Sequence, residues 1–248
     1  MPQATDFYGN SFGSSRTSHE LERFVRLLIH GDRVGCRDLV REFLDGHSEC
    51  SGDATCALRE LAWPACATLD ALARRDQIGT AEEHSATVLL AQLVQRIECG
   101  LAKRPARCKL VVVATGPRST EELAGEIFSG LAEADGFDIL YLGGGVESDE
   151  LFSQIAARRP AYFVSFAAAG PDAPRLRRLI TAVRTQDPVP GLRLGVGGGV
   201  FERAPGLAEE IGAHFEANSP FDMLAELQRM ETSSVAWHSS KTPRSRAA

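Results

Sequence analysis

Apolar residues recur at helical spacing over residues 19–104 and as short continuous runs after Pro105. In HELERFVRLLIHGD, residues Leu21, Phe24, Val25, Leu28 and Ile29 form one stripe. Asp32 is placed to cap a second helix, RVGCRDLVREFLDG, which ends at Gly46. A third helix runs from about Thr55 to Arg75, with Pro64 bending it or marking a new start. Thr80 opens a fourth, which stops near Gly100. Four helices with short connections predict a small bundle.

The period then changes. KLVVVAT, residues 109–115, is a continuous Val-rich run, as in a strand buried on both faces. A helix from Thr120 to about Asp135 follows, then the strand FDILYLGGG and a helix over about Asp149–Arg159. AYFVSFAAAG is a third strand, followed by a helix over about Pro174–Thr185. LRLGVGGGV is a fourth, followed by a helix over about Ala204–Ile211. AHFEANS is a short fifth strand, and PFDMLAELQRM is the final helix. Strict alternation of strand and helix predicts a doubly wound parallel sheet of five strands, an α/β domain over residues 107–231. Residues 1–18 and 232–248 are polar, lack a hydrophobic period and read as flexible tails.

Composition narrows the class. The 248 residues are 44% hydrophobic and 24% charged, ordinary for a globular chain with a real core. A net charge of −6 argues against direct nucleic-acid binding. No apolar run approaches the ~18 residues of a membrane span, and the N-terminal stretch has no signal-peptide core, so a cytoplasmic protein is expected. Cys36, Cys50, Cys56, Cys66, Cys99 and Cys108 form no Cys-x-x-Cys pair. They read as buried small hydrophobes in a reducing compartment. A small Cys50–Cys56 loop and a metal role for Cys50, Cys56 and Cys66 are the alternatives.

In an open parallel sheet the ligand lies beyond the carboxyl ends of the strands. Four loops fall there: TGPRSTEE, GGGVESDE, SFAAAGPDAP and GGGVFERAP. Their small residues let a flat ligand approach the main chain, although tight βα turns want glycine anyway. No G-x-G-x-x-G follows the first strand, and neither G-x-x-x-x-G-K-[ST] nor G-x-S-x-G occurs. A nucleotide enzyme or serine hydrolase is therefore not expected.

A helical bundle followed by this sheet domain resembles the cobalamin-binding modules of methionine synthases, corrinoid methyl carriers and light-responsive transcription regulators. The resemblance covers residues 20–230. Gly125 matches the glycine of the family's Asp-x-His-x-x-Gly motif, and Ser165 matches the serine of its Ser-x-Leu motif. Gly197 and Gly198 match the late Gly-Gly pair, and Glu83 and His84 match the "EH" helix of the photoreceptor branch. The resemblance implies a cobalamin held between bundle and sheet domain, with the bundle as its cap.

The sequence departs from that pattern at the metal. The axial His position is Glu122 and the Asp position is Thr120. A carboxylate is a poor substitute for imidazole on cobalt. The expected cap Trp is Ala73, followed by Arg74, while Trp63 stands upstream and can fill that space from another turn. Thr80 with Glu83, and Ser119 with Glu122, also fit T-x-x-E and S-x-x-E capping boxes, so these carboxylates have a purely local alternative role. His84 is either a pocket imidazole or an interface residue.

The resemblance implies a non-enzymatic sensory or regulatory protein that binds a corrinoid or related tetrapyrrole and signals to a protein partner in transcription control, like the stand-alone antirepressors. Three alternatives stay open. One is a heme-binding variant with an axial ligand from His84, His214 or a cysteine. The others are a corrinoid methyl carrier and a cofactor-free interaction module.

Overall fold

The computed structural model describes residues 15–47, 53–167 and 170–240. Cys50, residues 1–14 and residues 241–248 lie outside them. The amino half is helical. α1 (Ser15–Ile29) starts inside the expected tail and leads into α2 (Arg33–Glu42). Asp32 caps α2 as expected, accepting the Gly35 N–H at 2.9 Å. α2 passes into a π turn over Phe43–His47 rather than stopping at Gly46.

The expected third helix is a single rod with a flaw. α3 (Ala54–Ala57) widens into a π turn at Leu58–Ala62 and resumes as α4 (Trp63–Arg74). Pro64 explains it. Proline offers no N–H to the carbonyl four residues back, and its ring crowds that carbonyl, so the turn before it opens. α5 (Thr80–Glu98) completes the cap.

The carboxy half alternates as predicted. Its strands are β1 (Leu110–Thr115), β2 (Asp138–Gly144), β3 (Tyr162–Phe166), β4 (Arg193–Gly197) and β5 (Phe215–Ala217). All pairs are parallel, in the order β2-β1-β3-β4-β5. The helices are α6 (Ser119–Ala134), α7 (Ser148–Arg158), α8 (Asp172–Gln186), α9 (Gly199–Arg203), α10 (Leu207–Ile211) and α11 (Pro220–Ser240). The helix expected over 204–211 starts only at Leu207, as α10, and α9 forms before it in the stretch read as the end of the fourth strand and its loop. Pro205 holds Ala204 out of the helical region, and Gly206, at φ +87, precedes α10. α11 runs into the segment expected to be a tail from residue 232 onward. Its turn there is held by Tyr162 Oη donating to Glu231 at 2.7 Å and by Thr232 Oγ1 donating to the Gln228 carbonyl at 2.9 Å.

Alternation along β1 sorts the core into layers. Val112 and Ala114 face the side covered by α7 to α10. Val111 and Val113 face α6 and α11. α6 is apolar on two sides. Ala124, Phe128 and Ala132 pack on the sheet, while Leu123, Ile127 and Leu131 enter the core of the helical cap. Burial on both sides of one helix is what ties the two halves together. Arg59 of the cap also lies over the Phe221 ring, 4.3 Å from its centre. In the connector, Arg104 and Arg107 pair with buried Asp135 at 2.7 and 2.6 Å, and Gln228 adds a hydrogen bond at 2.9 Å.

No disulfide joins the described cysteines; Cys36 and Cys66 are buried as expected, while Cys99 and Cys108 are exposed. Among the described residues no three His, Cys, Asp or Glu side chains converge as a metal site. No described helix is long and apolar enough to cross a membrane.

Candidate functional site

Strand order fixes where a crevice opens. β1 lies between β2 and β3, so the connections from β1 and β3 leave toward opposite faces, and the carboxyl ends of these strands form the switch point. The β1–β2 register slips between Val113 and Thr115, which pair with Tyr141 and Gly144. Gly143, at φ +70, sits in this irregularity. The result is a shelf of bare main chain. Side chains added at Gly143 or Gly145 would meet nothing within 4 Å. A Cβ at Gly144 would lie 2.5 Å from the Gly116 carbonyl oxygen and 2.6 Å from Glu122 Oε1.

Both capping boxes start one residue earlier than the sequence spacing suggests. Gly79 and Arg118 carry the extended backbone of the caps of α5 and α6. The Gly79 N–H donates to Glu82 at 2.8 Å, and the Arg118 N–H donates to Glu121 at 3.2 Å. Glu83 and Glu122 are therefore released from the capping role that the T-x-x-E and S-x-x-E spacings offered them. Glu83 turns to the Arg118 guanidinium at 3.9 Å, across the boundary between cap and sheet domain. Glu122 is exposed, and its carboxylate lies over Gly144. Its main-chain carbonyl accepts the Tyr141 hydroxyl at 2.8 Å. Burial, with the charges of Glu126 and Glu122, pushes the Tyr141 phenol up and keeps it a donor.

Thr120 is buried, and its carbonyl accepts the Cys66 thiol at 3.7 Å. Burial, with the Asp70 charge behind it, pushes that thiol up, so Cys66 is an inert contact between cap and sheet. Gly125 serves packing. A Cβ there would lie 2.4 Å from Thr115 Cγ2, so the glycine lets α6 approach β1 and β2. Trp63 is half-buried and packs against both the cap core and the sheet core. Ser165 is buried in β3, between Ala114 and Val196 in register. Gly197 lies against the Ala217 carbonyl, Met223 and Phe166, and Gly198, at φ +102, lies against the Ala167 carbonyl.

The structure thus gathers Glu83, Thr120, Glu122 and Gly125 around the first turns of α6, while Trp63 packs between the cap and sheet cores. It does not bring His84 there. His84 is exposed and lines an open groove of about 310 Å³ with Gly31, Arg33 and Val88. His214 lies at the opposite, amino edge of the sheet, where its Nδ1 accepts the Leu194 N–H at 2.9 Å. Neither histidine is positioned as an axial heme ligand at the switch point.

Sequence spacing missed Arg118, Glu121, Asp172 and Tyr141. Asp172 opens α8 directly after the third-strand loop.

No family model matches the chain, and no curated protein sequence does. Among solved structures, the monomethylamine corrinoid protein of Methanosarcina barkeri matches over 86% of this chain and 98% of its own, at 14% identity and a TM-score of 0.71. This chain is similar in fold to a corrinoid protein. A cobalamin-binding protein of Desulfitobacterium hafniense DCB-2 matches over 84% of this chain and 97% of its own, at 17% identity and a TM-score of 0.44.

The residues present do not fit a cobalt held by a protein imidazole. The side chain at that place is the carboxylate of Glu122, a poor ligand for cobalt beside a neutral imidazole. What the edge offers is open space over Gly143 and Gly145, with the Glu122 carboxylate lying over Gly144 between them.

Proposed function

We propose that the chain is a non-enzymatic regulatory protein that binds a corrinoid at the carboxyl edge of β1 and β2, without a protein ligand to the metal, and reports occupancy through the cap to a protein partner. The observation that carries this reading is the open space over Gly143 and Gly145 at the carboxyl end of β2. A corrin rim bears neutral carboxamides, which pair with exposed main-chain groups. A heme bears carboxylates instead, and these need cations. Here Arg118 is engaged by Glu83, Arg175 by the Val146 carbonyl and Glu147, and the outward charge is the Glu122 carboxylate. Charge therefore favours the corrinoid over the heme alternative. The Glu83–Arg118 contact lies between the shelf and α5, which makes it the natural place for occupancy to bias the cap.

The test is retention after desalting. Protein is mixed with hydroxocobalamin, adenosylcobalamin or hemin, in the dark and after illumination, and its absorption spectrum is recorded. The expected result is retained cobalamin with its own base still on cobalt, and hemin lost. Glu122→His should convert that spectrum to one with a protein imidazole on cobalt. Loss of every corrinoid from both proteins overturns the proposal and supports a cofactor-free interaction module, the reading favoured by the direct Cys66–Thr120 contact between cap and sheet domain.

A further inference from the structure

Below the shelf, the switch point holds a second feature that the corrinoid reading does not use. Glu121 is 3% exposed and Asp172 is 7% exposed. One follows β1 and the other follows β3, so the strand order alone brings them together. A Cβ built on Gly116 would lie 1.9 Å from Glu121 Oε2 and 3.2 Å from Asp172 Oδ2. Glycine at 116 is what leaves room for these two oxygens. Glu121 has one oxygen on the Arg118 N–H. Asp172 Oδ2 is buried and has no hydrogen-bond partner among the described residues. Thr120 Oγ1, in the same first turn of α6 as Glu121, is likewise buried without one.

A buried carboxylate oxygen without a partner, as at Asp172 Oδ2, is costly, and the charge of a second carboxylate nearby adds to that cost. A cation placed at Asp172 Oδ2 and Glu121 offsets it. We infer that the switch point binds a small, oxygen-seeking divalent cation of the Mg²⁺ class, with Glu121 and Asp172 as its protein ligands. The donor set selects the class. Both ligands are hard carboxylate oxygens, and neither sulfur nor imidazole is present. Mg²⁺ is commonly held by one or two carboxylates and keeps several waters, so it does not need the larger cage of ligands that is lacking here. Exposed Pro117 and Gly170 flank the site and leave it a route to solvent. This inference does not rest on corrinoid binding.

The experiment uses the full chain stripped with EDTA and titrated with MgCl2 by calorimetry, at about 0.15 M monovalent salt to suppress diffuse binding. MnCl2, followed by electron paramagnetic resonance, is the spectroscopic probe. The expected result is one saturable site and a thermal midpoint that rises with Mg²⁺. Asp172→Asn should weaken Mn²⁺ binding by about tenfold or more and abolish the Mg²⁺-dependent rise. It should also raise the midpoint of the metal-free protein, because it removes an uncompensated buried charge. Glu209→Gln, on the exposed face of α10, should keep the wild-type response. Absence of saturable binding, or binding by Asp172→Asn equal to wild type, overturns the inference.

Discussion

The carboxyl of Glu98, in the last turn of α5, lies directly against the main chain of Gly130 in α6. A Cβ at Gly130 would sit 2.4 Å from Glu98 Oε1, an oxygen that is buried without a hydrogen-bond partner among the described residues. Burial, reinforced by the charges of Glu126 and Glu133, pushes this acid up to about 8. The contact between cap and sheet domain therefore encloses a neutral carboxylic acid at neutral pH.

A folded-state value raised above that of the unfolded chain means that stability is fully present below about 4.5 and is lost as pH rises through about 8. Glu98→Gln removes the ionisation. It should leave stability unchanged at pH 4 and raise it by roughly 4 kcal/mol near pH 8, as read by urea denaturation at both values.

His214 has the opposite sense. Burial, then the nearby charges of Arg193 and Arg184, lower its value from 6.5. The neutral ring is required, because Nδ1 accepts the Leu194 N–H. Its contribution is present above pH 6.5 and falls away as pH drops below that. His214→Asn keeps an acceptor in place and should flatten this acidic limb in a thermal scan between pH 7 and pH 5.

Gly125→Ala tests whether that glycine serves a ligand or the packing of α6. The added methyl would overlap Thr115 Cγ2 at 2.4 Å and crowd Tyr141 Cε2 at 3.0 Å. The expected outcome is a loss of about 1–3 kcal/mol in the ligand-free protein by denaturant titration.

Trp63→Ala removes a side chain shared by two cores. Unfolding should become easier by about 2–3 kcal/mol, and amide exchange should quicken in α4 and at the start of α6 together.

Element type was legible because the hydrophobic period changes cleanly after Pro105. The flaw before Pro64 and the cap at Asp32 were legible because each follows from local chemistry. The capping boxes were read one residue late, since Thr80 and Ser119 are better cap types than Gly79 and Arg118, which carry the extended backbone. That slip assigned the wrong glutamate of each adjacent pair to the cap. The Glu121–Asp172 pair was not legible at all. Nothing in either local segment announces it, and only the exchange of strand order around β1 brings the two together.

The cap core is completed by Leu123, Ile127 and Leu131 of α6 and by Phe221 of α11. The exposed connector over residues 102–106 looks like a border, yet the apolar cluster runs straight past it. A protease that nicks the connector should leave two fragments that stay associated and melt together. Either half expressed alone would carry a raw apolar seam, so any exchange of caps between such proteins must bring along a matching α6.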